Sequence, residues 1–198
     1  MVVGIVLAAG MSVRMGEFKQ LLPLRGNTVV EHVVKQVLGS LETVIVVLGH
    51  RADEVSAVLA DKAVKCVYNP HYAAGMTASV KCGITAAEDA SAYLICLGDQ
   101  PGISSEVIDS VIAGARKNGK GIVLPTCGGK RGHPVYLDRA YSEEILALPI
   151  DRGLNSVTRG HPDDTLELAV EREAILEDMD TPADYRRELE RMQALRGN

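Results

Sequence analysis

The sequence predicts a three-layer α/β fold built on a mostly parallel sheet, and two observations carry this prediction. Short apolar runs rich in β-branched residues, typical of buried strands, alternate along the chain with segments whose apolar residues recur at helical spacing. Strands that alternate with helices in this way form parallel sheets with right-handed crossovers. A length of 198 residues and a hydrophobic content of 46% favour a single domain over residues 1–198 with a sizeable core.

The individual elements follow from the same patterns. We expect strands at 2–7, 43–48, 64–68, 92–97, 121–125 and 165–170, and helices at 28–38, 52–60, 104–117 and 139–148. Thr28 and Glu31 form a capping box at the first helix, because each side chain can accept a hydrogen bond from the other residue's backbone N–H. A last helix is indicated by Thr181 as its N-cap, with Pro182 directly after it.

The most informative stretch is the loop after the first strand, Leu-Ala-Ala-Gly-Met-Ser-Val-Arg-Met-Gly at 7–16. Gly10 leaves backbone N–H groups free to face a ligand, and Arg14 and Lys19 add positive charge close by. A strand that ends in such a loop is typical of phosphate sites at the carboxyl edge of a parallel sheet. The glycine spacing fits neither the Walker A loop nor the dinucleotide fingerprint. We therefore predict a nucleoside triphosphate site; the alternative is an ordinary turn with solvated basic side chains.

Two later strand ends carry residues that suit the same site. Asp99 follows strand 92–97, where a carboxylate can bind magnesium, which takes one or two carboxylates and otherwise keeps water and phosphate oxygens. The alternative for Asp99 is a turn residue ahead of the Pro-Gly pair. After strand 64–68, Gly75 precedes the hydroxyls of Thr77 and Ser79, which either contact a ligand or cap a helix.

Four motifs, in their order and spacing, resemble those of the nucleotidylyltransferases that act on molybdopterin. They are Leu-Ala-Ala-Gly-x-Ser-x-Arg-Met-Gly-x-x-Lys-x-Leu-Leu-Pro at 7–23, Gly-Asp-Gln-Pro at 98–101, Gly-His-Pro at 132–134 and Asp-Met-Asp-Thr-Pro at 178–182. The match spans nearly the whole chain. It looks most like the cytidylyltransferase branch, since the guanylyltransferase branch usually has Leu-Ala-Gly-Gly at 7–10.

The resemblance implies a Rossmann-like nucleotidyltransferase fold and a set of site residues. Arg14 and Lys19 would hold the triphosphate and act in catalysis with Asp99, while Asp99 and Asp180 would bind Mg²⁺. For Asp180 the alternative is a helix-entry charge, and for the loop at 126–134 it is a plain hairpin turn. The other residues implied are Leu7, Ala8, Ala9, Gly10, Ser12, Gly75, Thr77 and Ser79 beside the nucleotide, and Gly132, His133 and Pro134 on the acceptor side.

The implied reaction transfers CMP from CTP to the phosphate of molybdopterin and releases pyrophosphate. Its rivals are a guanylyltransferase that uses GTP, a cytidylyltransferase for another phosphorylated acceptor, and a nucleotide-sensing or carrier protein without turnover. Asp99 and Asp180 argue against the last, because binding alone needs fewer metal ligands. Where the family often has Gly-Asp-x-Gly-Ala-Arg, this chain has Ile150 for the first glycine and Asn155 for the arginine, a departure that bears on the acceptor. A molybdoenzyme or its chaperone would receive the product.

Composition argues against other classes of protein. A net charge of −5, no Trp and a single Phe do not suit a nucleic-acid platform, which needs basic stripes and stacking aromatics. The four cysteines form no C-x-x-C pair and are expected to be reduced thiols. The apolar run at 2–9 is too short to span a bilayer, and the amino terminus has no signal-peptide pattern. We expect a soluble, cytoplasmic protein with no nucleic-acid or membrane partner.

Overall fold

One large sheet organises the chain, of which the computed structural model describes residues 1–194. The strands are Val2–Ala8 (β1), Pro23–Leu24 (β2), Asn27–Thr28 (β3), Val44–Leu48 (β4), Lys65–Tyr68 (β5), Ala92–Leu97 (β6), Ile122–Cys127 (β7), Lys130–Arg131 (β8), Val135–Asp138 (β9) and Thr165–Ala169 (β10). The helices are Val29–Leu38 (α1), Ala52–Val58 (α2), Met76–Ala86 (α3), Ser105–Asn118 (α4), Ser142–Ala147 (α5), Asn155–Gly160 (α6) and Pro182–Ala194 (α7).

The large sheet is mostly parallel, which confirms the prediction. Its strand order is β10-β7-β9-β6-β1-β4-β5, with β8 paired to the end of β7, while β2 and β3 form a separate small hairpin. β1 lies between β4 and β6 and is parallel to both. Only β9 and β8 run antiparallel to their neighbours in this sheet. The carboxyl ends of β1, β4 and β6 therefore meet at one edge, where ligands of such sheets bind.

Helices cover both faces of the sheet, which gives the three predicted layers. Successive strand residues point to opposite faces, so Val6 of β1 packs with α1 and α4 while Ile5 packs with α3. Both faces are apolar, which is why the strands read as continuous apolar runs. The capping box of α1 is present as predicted, with Glu31 accepting from the backbone N–H of Thr28 at 2.7 Å. Within residues 1–194, no helix is long and apolar enough to cross a membrane.

Several local features differ from the expectations. β9 was not predicted, because four residues after a proline carry little periodicity and are held by pairing with β6 and β7. The helix expected at 139–148 begins as a 3-10 turn, Arg139–Tyr141, and α5 covers six residues only. The six-residue α6 was not predicted because it is equally short.

α3 is capped by Gly75, with no side-chain cap from either predicted hydroxyl. Loop 126–131 is a hairpin, as its alternative interpretation held.

Gly98 joins β6 to Asp99 through a close backbone contact. Its N–H donates to the carbonyl oxygen of Leu7, 2.9 Å away at the end of β1. A Cβ added at Gly98 would lie 2.7 Å from that oxygen and 3.3 Å from the Cα of Ala8. Because both neighbours are backbone, a strand end would have to shift to make room.

Gly98→Ala should lower the free energy of unfolding by about 1–3 kcal/mol, because overpacking against fixed atoms costs this much. The matched control is Gly114→Ala in α4, where the nearest atom to an added Cβ is a Leu166 methyl carbon at 3.4 Å. That variant should be neutral or stabilising by about 0.5–1 kcal/mol, since alanine is the better helix former. Urea denaturation measures both; equal effects would show that the contact at Gly98 is not tight.

Candidate active site

A cleft of about 350 Å³ opens at the carboxyl edge of the sheet. Three parts of the chain line it: the first loop after β1, the segment that leads into α3, and three aspartates from the end of β6 and the approach to α7. Of the residues implied by the resemblance, it brings together Leu7, Ala9, Gly10, Arg14, Lys19, Gly75, Ser79, Asp99 and Asp180; Met11, Gln20, Tyr72, Ala73, Met76, Leu97 and Asp178 complete the lining.

Lys19 binds two of the aspartates at once. Its Nζ donates to the carboxylate of Asp99 and, at 3.0 Å, to Oδ1 of Asp180. The Lys19 side chain is only 10% exposed, so this charge is largely removed from water. Burial by itself lowers the pKa of Lys19, but the charges and hydrogen bonds of Asp99 and Asp180 outweigh it and hold the pKa above its ordinary value. Lys19 is therefore a cation throughout the physiological pH range.

Ser12 fixes the backbone that carries Lys19. Its φ of 54° lies in the left-handed region, which turns the first loop back on itself. Its Oγ accepts from the backbone N–H of Lys19 at 3.1 Å and donates to Oε1 of the buried Gln20 at 3.0 Å. Ser12 does not line the cleft; it ties the loop to the turn at 19–21 and so aims the Lys19 side chain.

An apolar cluster beneath the cleft holds the first loop against the segment that bears Asp180. Arg14 pairs with Asp180 at 2.5 Å, but the Arg14 side chain is 73% exposed, and such surface pairs contribute little by themselves. Next to these two residues, Met15 and Met179 are both buried and pack in one cluster with Met192 of α7. The methionine contacts therefore position the charged pair.

Gln100 connects the Asp99 loop to the same segment, a role that the sequence analysis did not assign. It is 2% exposed, and its Nε2 donates to Oδ1 of Asp178 at 2.8 Å. Partial burial and the charges of Asp99 and Asp180 raise the pKa of Asp178, while the Gln100 hydrogen bond opposes them. Asp178 is thus a third carboxylate in the cleft. The available signal was the alternation of two aspartates about the apolar Met179.

The opposite wall presents Ser79. This residue is 4% exposed, and its Oγ accepts from Nδ2 of the buried Asn69 at 3.1 Å. The Asn69 amide cannot turn around freely, because its Oδ1 accepts from the backbone N–H of His71 at 2.9 Å. The Ser79 hydroxyl therefore keeps its own proton available to donate, and it lines the cleft.

Besides Ser12, two residues implied for the nucleotide do not line the cleft. Thr77 is buried and donates to the carbonyl oxygen of Arg152 at 2.7 Å, which ties α3 to the segment before α6. Ala8 is fully buried under the first loop, in the cluster that faces α1. The position of a residue within its motif does not show whether its side chain faces the cleft or the core, so the sequence could not distinguish these two residues from neighbours that line the cleft.

Residues 132–134 lie behind the Asp99 loop rather than on the cleft surface. The antiparallel pairing of β9 with β6 brings them to the carboxyl end of β6. His133 and Pro134 line a small cavity of about 10 Å³ together with Gln100. Burial lowers the pKa of His133 to about 4 against the attraction of Asp99, so this imidazole is neutral at pH 7. Gly132 has no room for a Cβ against the carbonyl oxygen of Ile175.

The carboxylates suit one small divalent cation with oxygen ligands. Asp99 and Asp180 both reach the same Nζ atom, so both can contact a cation placed there. Among residues 1–194, no three His, Cys, Asp or Glu side chains are arranged to hold a metal by themselves. Magnesium needs only one or two carboxylates and takes phosphate oxygens and water besides. The pair therefore fits an ion that is shared with a bound phosphate.

Known proteins with similar sequences and structures include nucleotidyltransferases. Residues 4–166 match the family described as MobA-like NTP transferase domain. The chain is 28% identical over 183 residues to molybdenum cofactor cytidylyltransferase of Escherichia coli (strain K12), covering 91% of this chain and 92% of the relative. It is 33% identical over 144 residues to nicotine blue oxidoreductase of Paenarthrobacter nicotinovorans, covering 69% and 71%. The crystal structure of Rv0371C from Mycobacterium tuberculosis H37Rv with manganese is similar, with a TM-score of 0.77, 28% identity and coverage of 96% and 98%.

These matches confirm the resemblance seen in the motifs. The family match runs from β1 into β10 and so includes the first loop and the Asp99 loop. The similarity of the manganese-bound structure extends over nearly the whole chain and confirms the α/β fold. The chain therefore belongs to the MobA-like NTP transferase family and is a nucleotidyltransferase.

Proposed function

We propose that this nucleotidyltransferase transfers CMP from CTP to the phosphate of molybdopterin, in molybdenum cofactor biosynthesis, with Mg²⁺ as its cofactor. The observation that carries the proposal is the convergence of Lys19, Asp99 and Asp180 on one cleft beside the glycine loop. A cation next to two carboxylates can hold a phosphate chain and its metal together. A site that only binds a nucleotide has no need of both carboxylates.

The reaction asks the protein for alignment and charge neutralisation rather than for a covalent step. An oxygen of the acceptor phosphate attacks the α-phosphorus of CTP, the bond to the bridging oxygen breaks, and pyrophosphate leaves. Because the acceptor phosphate is already ionised near neutral pH, no general base is required. In this proposal Lys19 contacts the α-phosphate, and Arg14 with the first-loop amides holds the β- and γ-phosphates.

Asp99 and Asp180 are the residues that would hold Mg²⁺. When bound, the ion would neutralise the charge that develops on the phosphate oxygens. The manganese complex of the similar Mycobacterium tuberculosis protein supports a divalent cation in this fold. The hydrogen bond between Gln100 and Asp178 links the loop that bears Asp99 to the segment that bears Asp180, and so helps to fix the distance between these two carboxylates.

One feature favours CTP over GTP. The first loop carries Ala9, which is 4% exposed and lines the cleft beside Gly49. Where the guanylyltransferase pattern has a glycine, this chain carries one more methyl group, and in this proposal that methyl disfavours a purine. The Ser79 hydroxyl, with its proton available, can donate to acceptor atoms that cytosine and guanine both carry, so it suits a base without selecting between the two. A guanylyltransferase that uses GTP and a cytidylyltransferase for another phosphorylated acceptor are the alternatives.

The product would pass to a molybdoenzyme or to its chaperone. We place the enzyme in the cytoplasm, where its four free cysteines would stay reduced. The acceptor-side residues of this proposal are Gly132, His133 and Pro134. Because they lie behind the Asp99 loop and not on the cleft wall, they would act on the acceptor by positioning that loop.

One experiment decides among the alternatives. The protein is incubated with each nucleoside triphosphate, magnesium and molybdopterin; pyrophosphate is measured and the adduct is identified by mass spectrometry. A cytidine adduct with pyrophosphate is expected. A guanosine adduct would favour the GTP alternative. Absence of pyrophosphate with every nucleotide would exclude molybdopterin as the acceptor and leave either another phosphorylated acceptor or a binding protein. Because one relative is named as an oxidoreductase, oxidation of a nicotinamide cofactor is followed in parallel and should not occur.

Asp99→Asn should keep the fold and lower kcat by roughly 10²–10³-fold, because an amide is a poorer ligand for a hard cation and loss of one well-placed electrostatic contact costs this much. The measurement is kcat as a function of magnesium concentration. Asp109→Asn is the control, since Asp109 is exposed on α4 and its loss should leave kcat unchanged. Near-native turnover of Asp99→Asn at limiting magnesium would remove Asp99 from the metal site.

Lys19→Ala should weaken binding and turnover for CTP and GTP alike, because phosphate contacts do not read the base. Steady-state kinetics with both nucleotides give kcat and KM separately. A rise in KM alone would assign Lys19 to ground-state binding only. The exposed Lys117, replaced by alanine, serves as the control and should behave like the wild type. Unchanged kinetics for Lys19→Ala would refute its contact with the triphosphate.

Ala9→Gly should lower the CTP/GTP ratio of kcat/KM, mainly by improving GTP. One methyl group in a pocket wall discriminates by about 1–3 kcal/mol, enough to bias the enzyme but not to exclude GTP. Ala8→Gly is the matched control, because Ala8 is buried beneath the same loop and does not line the cleft. It should cost both nucleotides alike through loop flexibility. An equal ratio in both variants would clear Ala9 of any part in base selection, and a wild type that prefers GTP would overturn the cytidylyl assignment.

A further inference from the structure

We propose that Lys19 keeps the metal site closed in the free enzyme, so that the divalent cation and the nucleotide can bind well only together. The inference rests on the proposed function and concerns the order of events within the same cleft. It makes Lys19 more than a phosphate contact: the lysine is an internal cation that must be exchanged for an external one.

The geometry shows which groups compete. Nζ of Lys19 lies within hydrogen-bonding distance of both carboxylates that are proposed to hold the metal, Asp99 and Asp180. Asp180 is also paired with Arg14 at 2.5 Å. A divalent cation cannot contact both carboxylates while an ammonium lies between them, because like charges so close together repel strongly in a partly buried site. The Lys19 side chain must therefore leave before the site can accept a metal.

Among the residues that line the cleft, all within 1–194, Lys19 has no good alternative partner. Its backbone is fixed by Ser12 and by the turn at 19–21, so only the side chain can swing. The remaining carboxylate of the cleft, Asp178, is already engaged by Gln100. The Lys19 side chain is 10% exposed where it contacts the two aspartates, and leaving them would separate this ammonium from both of its counter-ions, which is costly. A metal that arrives alone must overcome that cost.

A triphosphate removes the penalty because its oxygens give Lys19 a new partner. The converse also holds. A triphosphate that arrives without metal either leaves Lys19 on the aspartates or exposes two carboxylates to its own negative charge. Each ligand thus prepares the site for the other, and the effect must be reciprocal in their binding free energies. Couplings of this kind typically change affinity by about 5–150-fold.

The first test is equilibrium binding of Mn²⁺ without nucleotide, followed by the electron paramagnetic resonance signal of the free ion. Lys19→Met should bind Mn²⁺ about tenfold or more tightly than the wild type, since it removes the competing charge and keeps most of the side-chain length. Lys19→Gln should act in the same direction and covers the case in which the methionine variant does not fold. Arg14→Met is the matched control: it removes an exposed cation whose ion pair within residues 1–194 is with Asp180 alone, so its effect should stay within a few-fold.

The second test measures CTP affinity by equilibrium dialysis at zero and at saturating Mn²⁺. The gain in affinity that Mn²⁺ confers should be smaller in Lys19→Met than in the wild type, because no internal cation remains to be released. Mn²⁺ binding to folded Lys19→Met and Lys19→Gln that is equal to or weaker than in the wild type would overturn the inference.

Asp99→Asn in the Lys19→Met background separates this inference from the proposed function. The double variant should lose the gain in Mn²⁺ affinity. If Mn²⁺ binds it as tightly as it binds Lys19→Met, Asp99 is not a metal ligand, and both the metal assignment and the inference fail. If Asp99→Asn abolishes Mn²⁺ binding while Lys19→Met does not strengthen it, the inference alone fails and the proposed function stands.

Discussion

The ion pairs between Lys19 and the carboxylates of Asp99 and Asp180 are the interaction on which the rest of this site depends. The three side chains come from the first loop, the end of β6 and the approach to α7, and they are 80 and 161 residues apart along the chain. A largely buried ammonium is stable only beside opposite charge, and two neighbouring carboxylates need a cation for the same reason. Each of the three charges thus offsets the cost of burying the others, and none of them would be stable at this place without its partners.

The fold serves this arrangement by bringing strand ends together. β1 lies between β4 and β6, so the first loop and the Asp99 loop emerge side by side at the carboxyl edge. Gly98 lets those two backbones approach, since its N–H bonds to Leu7 where a larger residue would not fit. On the other side, Met15 and Met179 bury their side chains in one cluster with α7. Apolar packing therefore sets the spacing of the charges, and the charges need supply little of the stability.

The three layers of the fold could be predicted from the sequence, because both faces of the sheet are apolar and apolar residues recur at helical spacing in the longer helices. The sequence did not predict β9, which is held by pairing with β6 and β7, or α6, which is only six residues long. At the site, Gly10, Lys19 and Asp99 could be singled out from chemistry and position, and Asp180 from resemblance. The contact of Lys19 with both aspartates could not be predicted, because it joins three segments that are far apart in the sequence. Gln100 was passed over since a buried amide has no signature, and Thr77 was included because spacing alone does not show which way a helical side chain faces.

The balance of charge in the cleft supports the proposal that nucleotidyl transfer here would use an external cation. Three carboxylates, Asp99, Asp178 and Asp180, face two cationic side chains, and the cations are already engaged. Such a cleft has no surplus positive charge with which to attract a polyanion. The raised pKa of Asp178 reduces this excess of negative charge only in part. In the proposed function, a divalent ion held by Asp99 and Asp180 would neutralise both carboxylates. It would also free Lys19 for the phosphates, so that an internal counter-ion would become a ligand contact.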